Sequence, residues 1–355
     1  MQQESGPKAN ESIKKGQRMN IAVIGAGAIG SVVAARLAKA GKDVTLVAKD
    51  EQVDAIAQKG ITVRQASGDG SFKEETVEVK AVPRLDQEHD LVIFTVKTQD
   101  LERAYQANHE YLETPMVLTT QNGVQADNIL SVHFEREKMM SSIVMFGATY
   151  TQPGKVTLNF DGDWVVGRPF LPVGPQARAV ADELAGAFDV KVSRNIMGMK
   201  WLKLFVNFNN CIPALVGKSM QETFADLDLC RLSVRLLREG WDIVHKANIE
   251  LVSLPDFPVD RTESLVTMPE DQAAGILNAM LTNLSDEPLY GSILQSILRK
   301  RPSEIDFING EVCCLARQMR QKAPLNDTIL DMVHTVENTG KFYSIDEVKK
   351  AFDLG

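Results

Sequence analysis

The chain has 355 residues, a length at which one core tends to split, so two domains are expected. With 44% hydrophobic and 24% charged residues, the composition excludes disordered, collagen-like and disulfide-scaffold classes. The formal charge of -8 argues against a dedicated nucleic-acid binder, because phosphate contacts need clustered Lys and Arg. The longest evident apolar run, residues 91–96, is strand-sized and falls short of the roughly 18 residues of a membrane span, so a soluble protein without membrane partners is expected. Cys211, Cys230, Cys313 and Cys314 form no CxxC pair, and the five histidines show no HExxH or His-x3-His spacing. No metal site is therefore expected, and the thiols fit a reducing, cytoplasmic setting. Residues 1–18 are polar, lack the apolar stretch of a signal peptide, and read as a flexible tail.

From Met19 the pattern alternates strand and helix. Strands are expected at 20–24, 43–48, 61–64, 76–82, 91–96, 116–120, 143–149, 155–160 and 164–166, with helices at 29–40, 99–112 and 175–188. The first strand, helix and second strand make a βαβ unit. After a short strand at 190–193 the character changes to helical periods at 197–211, 221–247, 269–284, 290–300, 303–321 and 327–338. Pro213, Pro255, Pro258, Pro288, Pro302 and Pro324 read as separators between them. The expected architecture is an α/β, Rossmann-type dinucleotide-binding domain over residues 19–195, followed by an all-α domain over 196–355. The cleft between them is the default ligand site, and the long C-terminal helices could supply a homodimer interface.

The segment Gly25-Ala26-Gly27-Ala28-Ile29-Gly30 follows the first strand and opens the first helix. The first glycine permits a tight turn, the second lets backbone approach a pyrophosphate, and the third lets helix and strand pack closely, while the helix N-terminus offers free N–H groups to the anion. The second strand runs into Lys49 rather than an acid, which favours NADPH over NADH, although Asp50 follows directly and Lys49 also reads as a solvated loop charge. Lys97, in Thr-Val-Lys-Thr-Gln at a strand end, is a cofactor candidate. Asn122, in Gln121-Asn122-Gly123, carries an amide able to face nicotinamide or substrate, and Asn-Gly is equally ordinary turn chemistry.

In the helical part, Lys203, Asn207 and Asn210 are spaced by four and then three, which stacks them on one face of a mostly apolar helix. Such a stripe suits either a small anionic ligand or a network with carboxylates of a neighbouring helix. Ser303 reads as an N-cap with Glu304 in the first turn, where the carboxylate is either a helix-dipole partner or a site residue; spacing does not choose. Ser292, Gln295 and Ser296 form a further polar stripe.

Taken in order, GAGAIG, TVKTQ, QNG, KWLKLFVN and SEIDFING resemble the ketopantoate reductase (2-dehydropantoate 2-reductase) family, over residues 19 to about 321. The resemblance implies NADPH-dependent reduction of 2-dehydropantoate to (R)-pantoate in pantothenate synthesis. It matches Lys203 to a proton-donating lysine, Asn207 to a substrate amide, Ser292 to a substrate hydroxyl and Glu304 to a carboxylate near substrate and nicotinamide. Gly25 to Gly30, Lys49, Lys97 and Asn122 match cofactor contacts. The chain departs from the family pattern at Asn207–Pro213, where the usual Asn-Pro pair is replaced and Asn210 takes the second amide's place one residue later, and around Leu289–Ser296. Both departures touch substrate contacts, which leaves open a paralogous reductase of another 2-oxo acid, an opine-type dehydrogenase, or an NADPH-binding sensor without turnover. The chemistry suits the residue types, since hydride addition to a 2-oxo group creates negative charge that an ammonium can stabilise and then protonate.

Overall fold

The structure, a computed structural model, describes residues 19–66, 71–285 and 287–354. The tail expected at residues 1–18 lies outside them. In chain order the first half contains β1 (Asn20–Ile24), α1 (Ala28–Lys39), β2 (Asp43–Val47), α2 (Asp50–Lys59), β3 (Ile61–Ala66), β4 (Phe72–Val77), β5 (Lys80–Val82) and β6 (Leu91–Phe94). It continues with α3 (Leu101–Gln106), β7 (Met116–Thr119), α4 (Gln125–Leu130), β8 (Met139–Val144), β9 (Gly147–Gln152), β10 (Lys155–Phe160), β11 (Trp164–Gly167), α5 (Pro175–Leu184) and β12 (Val190–Val192).

Eight strands form the main sheet in the order β12-β11-β8-β7-β6-β1-β2-β5. β5, β2, β1, β6, β7 and β8 run parallel, and β11 turns antiparallel onto β8. Parallel strands covered on both faces need apolar residues at every position. In β1, Ile21 and Val23 therefore pack with Val33 and Leu37 of α1, whereas Ala22 and Ile24 face Leu101 of α3 and Leu130 of α4. Because β1 lies between β2 and β6, the winding reverses there, and a crevice opens at the C-terminal ends of β1 and β6.

Two expected strands each divide between sheets. The run 76–82 breaks after Val77, so that β4 joins a second sheet of order β4-β3-β10-β9 while β5 becomes an edge of the main sheet. The run 143–149 breaks likewise: β8 begins earlier, at Met139, and the chain passes into β9 at Gly147, which lacks a Cβ where the Phe160 ring crosses. In 76–82 the alternation runs through the break, whereas 143–149 is a continuous apolar run without alternation and β8 is buried at every position; neither pattern specifies which sheet each half joins.

Among the described residues no strand follows Val192. The helices are α6 (Ile196–Asn207), α7 (Cys211–Val216), α8 (Met220–Phe224), α9 (Leu227–Lys246), α10 (Val259–Thr267), α11 (Glu270–Thr282), α12 (Ser292–Leu298), α13 (Asn309–Gln318), α14 (Pro324–Thr339) and α15 (Ile345–Ala351). α9 is the central one, burying Leu229, Leu232, Leu236 and Ile243. The expected helix 221–247 divides because Asp226 accepts the amides of Asp228 and Leu229 (2.9 and 3.3 Å) and so starts a new helix. Pro213 lies inside the first turn of α7 rather than between helices, where its missing N–H has no intrahelical partner to lose; Pro324 likewise opens α14. The halves meet over an apolar seam of Ile143 and Val165 from the sheet against Ile196, Met199 and Leu202 of α6. No helix among the described residues is long and apolar enough to cross a membrane.

Candidate active site

At the crevice, Gly25 has φ +118°, and a Cβ there would approach within 2.8 Å of the Val96 amide nitrogen. A Cβ on Gly30 would be driven into the carbonyl oxygen of Gly25 and the hydroxyl of Thr95. Gly27 differs: nothing lies within 4 Å of where its Cβ would stand, so its missing side chain opens space instead of filling it. α1 starts at Ala28 and Ile29 with no side chain capping its first turn, which leaves N–H groups for an anion. Thr95 Oγ1 donates to the carbonyls of Ile24 and Gly25 (3.1 and 2.8 Å), and Gln52 Nε2 donates to Ala26 O (2.7 Å) and to the Tyr150 hydroxyl (3.0 Å). The loop is thus braced from β6, α2 and β9 while its outer face stays open. This geometry fits a dinucleotide pyrophosphate. Lys49 is exposed at the N-cap of α2, three residues before Gln52.

The second cluster lies between the halves. Lys97 Nζ crosses to the helical half, donating to Ser296 Oγ (3.2 Å) and Pro302 O (3.3 Å). Lys203, half-buried on α6, donates to the carbonyl of Val144 at the end of β8 (2.7 Å). Burial, with the Lys200 cation as a second cause, lowers the Lys203 ammonium to about 8, and Glu304 opposes the change. Glu304 faces the same space, and its carboxyl is held above the usual range by burial, opposed by Lys97, Lys203 and a hydrogen bond with Asn122. A lysine acid near neutrality, a carboxyl and an amide therefore converge where the crevice meets α6.

Of the residues expected to act together, Lys97, Asn122, Lys203 and Glu304 converge. Asn207 lies one turn beyond Lys203, half-buried, and among the described residues its side chain has no hydrogen-bond partner. Asn210 belongs to a 3-10 turn, Phe208–Asn210, and its amide packs on Gly291, where a Cβ would lie 2.7 Å from Oδ1. That contact places it beside Ser292, the exposed first residue of α12. Ser296, one turn later, is the member of the serine stripe that meets Lys97.

Glu304 does not sit in the first turn of a long helix. It precedes a three-residue 3-10 turn, Ile305–Phe307, and Ser303 Oγ accepts from the Ile305 amide, so a macrodipole does not explain the carboxylate. Gln121 is structural, bonding the carbonyls of Phe94 and Val96 (2.8 and 2.7 Å). Gln52 and the Val144 carbonyl escaped sequence reasoning, since a backbone acceptor leaves no trace in residue identity.

Residues 21–169 match the family described as Ketopantoate reductase PanE/ApbA, and residues 195–337 match Ketopantoate reductase PanE/ApbA C terminal. The chain belongs to the ketopantoate reductase family. It is an oxidoreductase of that family. Among its relatives is the 2-dehydropantoate 2-reductase of Pyrococcus horikoshii, 28% identical over 330 residues that cover 91% of this chain and 99% of the relative. The corresponding protein of Pyrococcus abyssi is 29% identical, covering 87% and 94%. A PanE/ApbA family ketopantoate reductase from Ralstonia eutropha shares the fold at TM-score 0.75 and 24% identity, covering 90% of this chain and 99% of that one. So does a D-mandelate dehydrogenase solved with NADH and anilino(oxo)acetate, at TM-score 0.75 and 22% identity with the same coverage.

Proposed function

We propose that this protein is an NADPH-dependent reductase of 2-dehydropantoate, forming (R)-pantoate for pantothenate synthesis in the cytoplasm. The observation that carries the reading is the Lys203 ammonium, lowered to about 8 and seated in the cleft with Glu304, Lys97 and Asn122. On this reading Gly25, Ala26, Gly27, Ala28, Ile29 and Gly30 hold the pyrophosphate, Lys49 meets the 2'-phosphate, and Lys97, Asn122 and Glu304 border the nicotinamide. Asn122, Asn207, Asn210 and Ser292 orient the 2-oxo acid. The bound cofactor supplies the hydride. Lys203 stabilises the charge developing on the substrate oxygen and then gives it a proton, while Asn207 and Asn210 hold the polar end of the acid. Residues 19–195 act as the cofactor domain and 196–355 as the substrate domain.

A second reading, reduction of a different 2-oxo acid, is favoured by the 3-10 turn at Phe208–Asn210, which seats Asn210 against Gly291 at the substrate side. The structural likeness to an enzyme named for mandelate points the same way. Oxidation of NADPH against 2-dehydropantoate and a panel of aliphatic and aromatic 2-oxo acids, with NADH as control, tests both. Turnover of 2-dehydropantoate is expected to fall by about 10²–10⁴-fold in Lys203→Ala while NADPH still binds. Turnover confined to another acid selects the second reading, and binding without turnover of any acid overturns both.

A further inference from the structure

Three residues before Lys203, a second lysine points the other way. Lys200 is only 3% exposed, and its Nζ makes a 3.0 Å ion pair with Asp127, which is fully buried on α4. Asp127 also accepts hydrogen bonds from Thr119 of β7 (Oγ1, 2.6 Å) and Ser141 of β8 (Oγ, 2.8 Å). The pair therefore bolts α6 to the sheet across the seam between the two halves, with all partners out of water. A buried ion pair is a poor source of stability, because desolvation offsets most of the attraction, whereas breaking one by removing a single partner is strongly destabilising, so the pair holds its two elements in one relative placement. Here the fixed helix is the one that carries Lys203. The strand holding Ser141 ends at Val144, whose carbonyl accepts the Lys203 ammonium.

We propose that Lys200 is a positioning residue for the reaction: clamped by Asp127, it seats α6 so that Lys203 meets the Val144 carbonyl, and its buried charge tunes the proton donor from one helical turn away. This rests on Lys203 being the acid. The charged groups facing the two lysines are Glu304 and Lys97 across the cleft, Asp127 from α4, and Glu311 of α13, which accepts from the Val124 amide and Gln125 Nε2 (3.4 and 3.1 Å). Like charge destabilises a cation, and the Lys200 contribution to Lys203 has that sign. Removing it therefore makes Lys203 hold its proton to higher pH. Since a proton donor works while protonated, the alkaline limb of turnover must move upward.

The test is the pH dependence of kcat/KM for the 2-oxo acid at saturating NADPH, measured on the full chain. In Lys200→Met the limb is expected to rise by about one pH unit, and in Lys200→Arg, which keeps the charge, it should stay near that of the parent. The double variant Lys200→Met with Asp127→Asn removes both charges, guards against loss of fold from an unpaired carboxylate, and should shift the limb upward by less than Lys200→Met alone, because the Asp127 charge that offsets part of the Lys200 field goes with it. A limb unmoved in both Met variants, with Lys203→Ala still abolishing turnover, overturns the role of Lys200 alone. A limb that persists in Lys203→Ala overturns the assignment of the acid itself.

Discussion

Glu304, buried in the cleft beside Lys97, Lys203 and Asn122, carries a cost to the fold at neutral pH. Burial penalises its charged form, so its folded value lies above the ordinary 4.5. With the folded value raised, the native state holds the proton more tightly than the unfolded chain; the stability this provides is present below 4.5 and is lost as pH rises through the folded value. Glu304→Gln removes the titration. Its melting temperature is expected to gain on the parent steadily from acid to neutral pH, in a thermal unfolding series, even as activity falls. A constant gap across that range contradicts the account. The Lys203-Asn207 spacing was legible as one turn of α6, whereas Asn210, expected on the same helix face, falls in the 3-10 turn that follows, and the net direction of the Lys203 shift was not legible either. Burial and a neighbouring cation oppose Glu304 there, and their balance depends on the distance between Lys203 and Glu304, which lie far apart in sequence.

At the scale of elements, the β1 strand, glycine loop and α1 form a unit whose parts have separable duties. Gly30 is a packing glycine, and Gly27 is an opening. In Gly30→Ala the new methyl meets backbone carbonyl, so a loss of stability of about 1–3 kcal/mol is expected together with loss of cofactor binding. In Gly27→Ala the methyl meets no protein atom, so stability should stay within about 1 kcal/mol while NADPH affinity drops, as the space for the phosphates is taken. Denaturant unfolding and cofactor titration of the two variants separate these effects. This unit was readable because its contacts are local, with strand, turn and helix following one another within 20 residues. The divided strands at 76–82 and 143–149 were not. Each half reads as strand by composition, and which sheet it joins depends on partners far along the chain.

Among the described residues the two halves are joined over an apolar seam by polar contacts that include Lys97 onto Ser296 and Pro302, Asn122 onto Glu304, Lys203 onto Val144, Lys200 onto Asp127, and Glu311 onto Val124 and Gln125. A ligand bound to the native protein and not to the unfolded chain adds stability by mass action. NADPH at a hundred times its Kd is expected to add about 2.7 kcal/mol, and NADH at the same concentration less, if Lys49 meets the 2'-phosphate. Equal melting shifts for the two nucleotides, by scanning calorimetry, would remove Lys49 from that role.

The sequence by itself determined the class of fold, the glycine-rich turn between the first strand and helix, and the helical second half, because each is written in short-range spacing or in the chemistry of single side chains; the proton-donating role proposed for Lys203 is implied by the family resemblance and not by spacing. Only the tertiary structure decided which sheet each half-strand joins, that Lys97 reaches Ser296, that a backbone carbonyl receives Lys203, and that Lys200 and Asp127 pair across the seam. Those features are meetings of residues from distant segments, and in a folded chain such meetings follow from how layers pack and not from any local pattern.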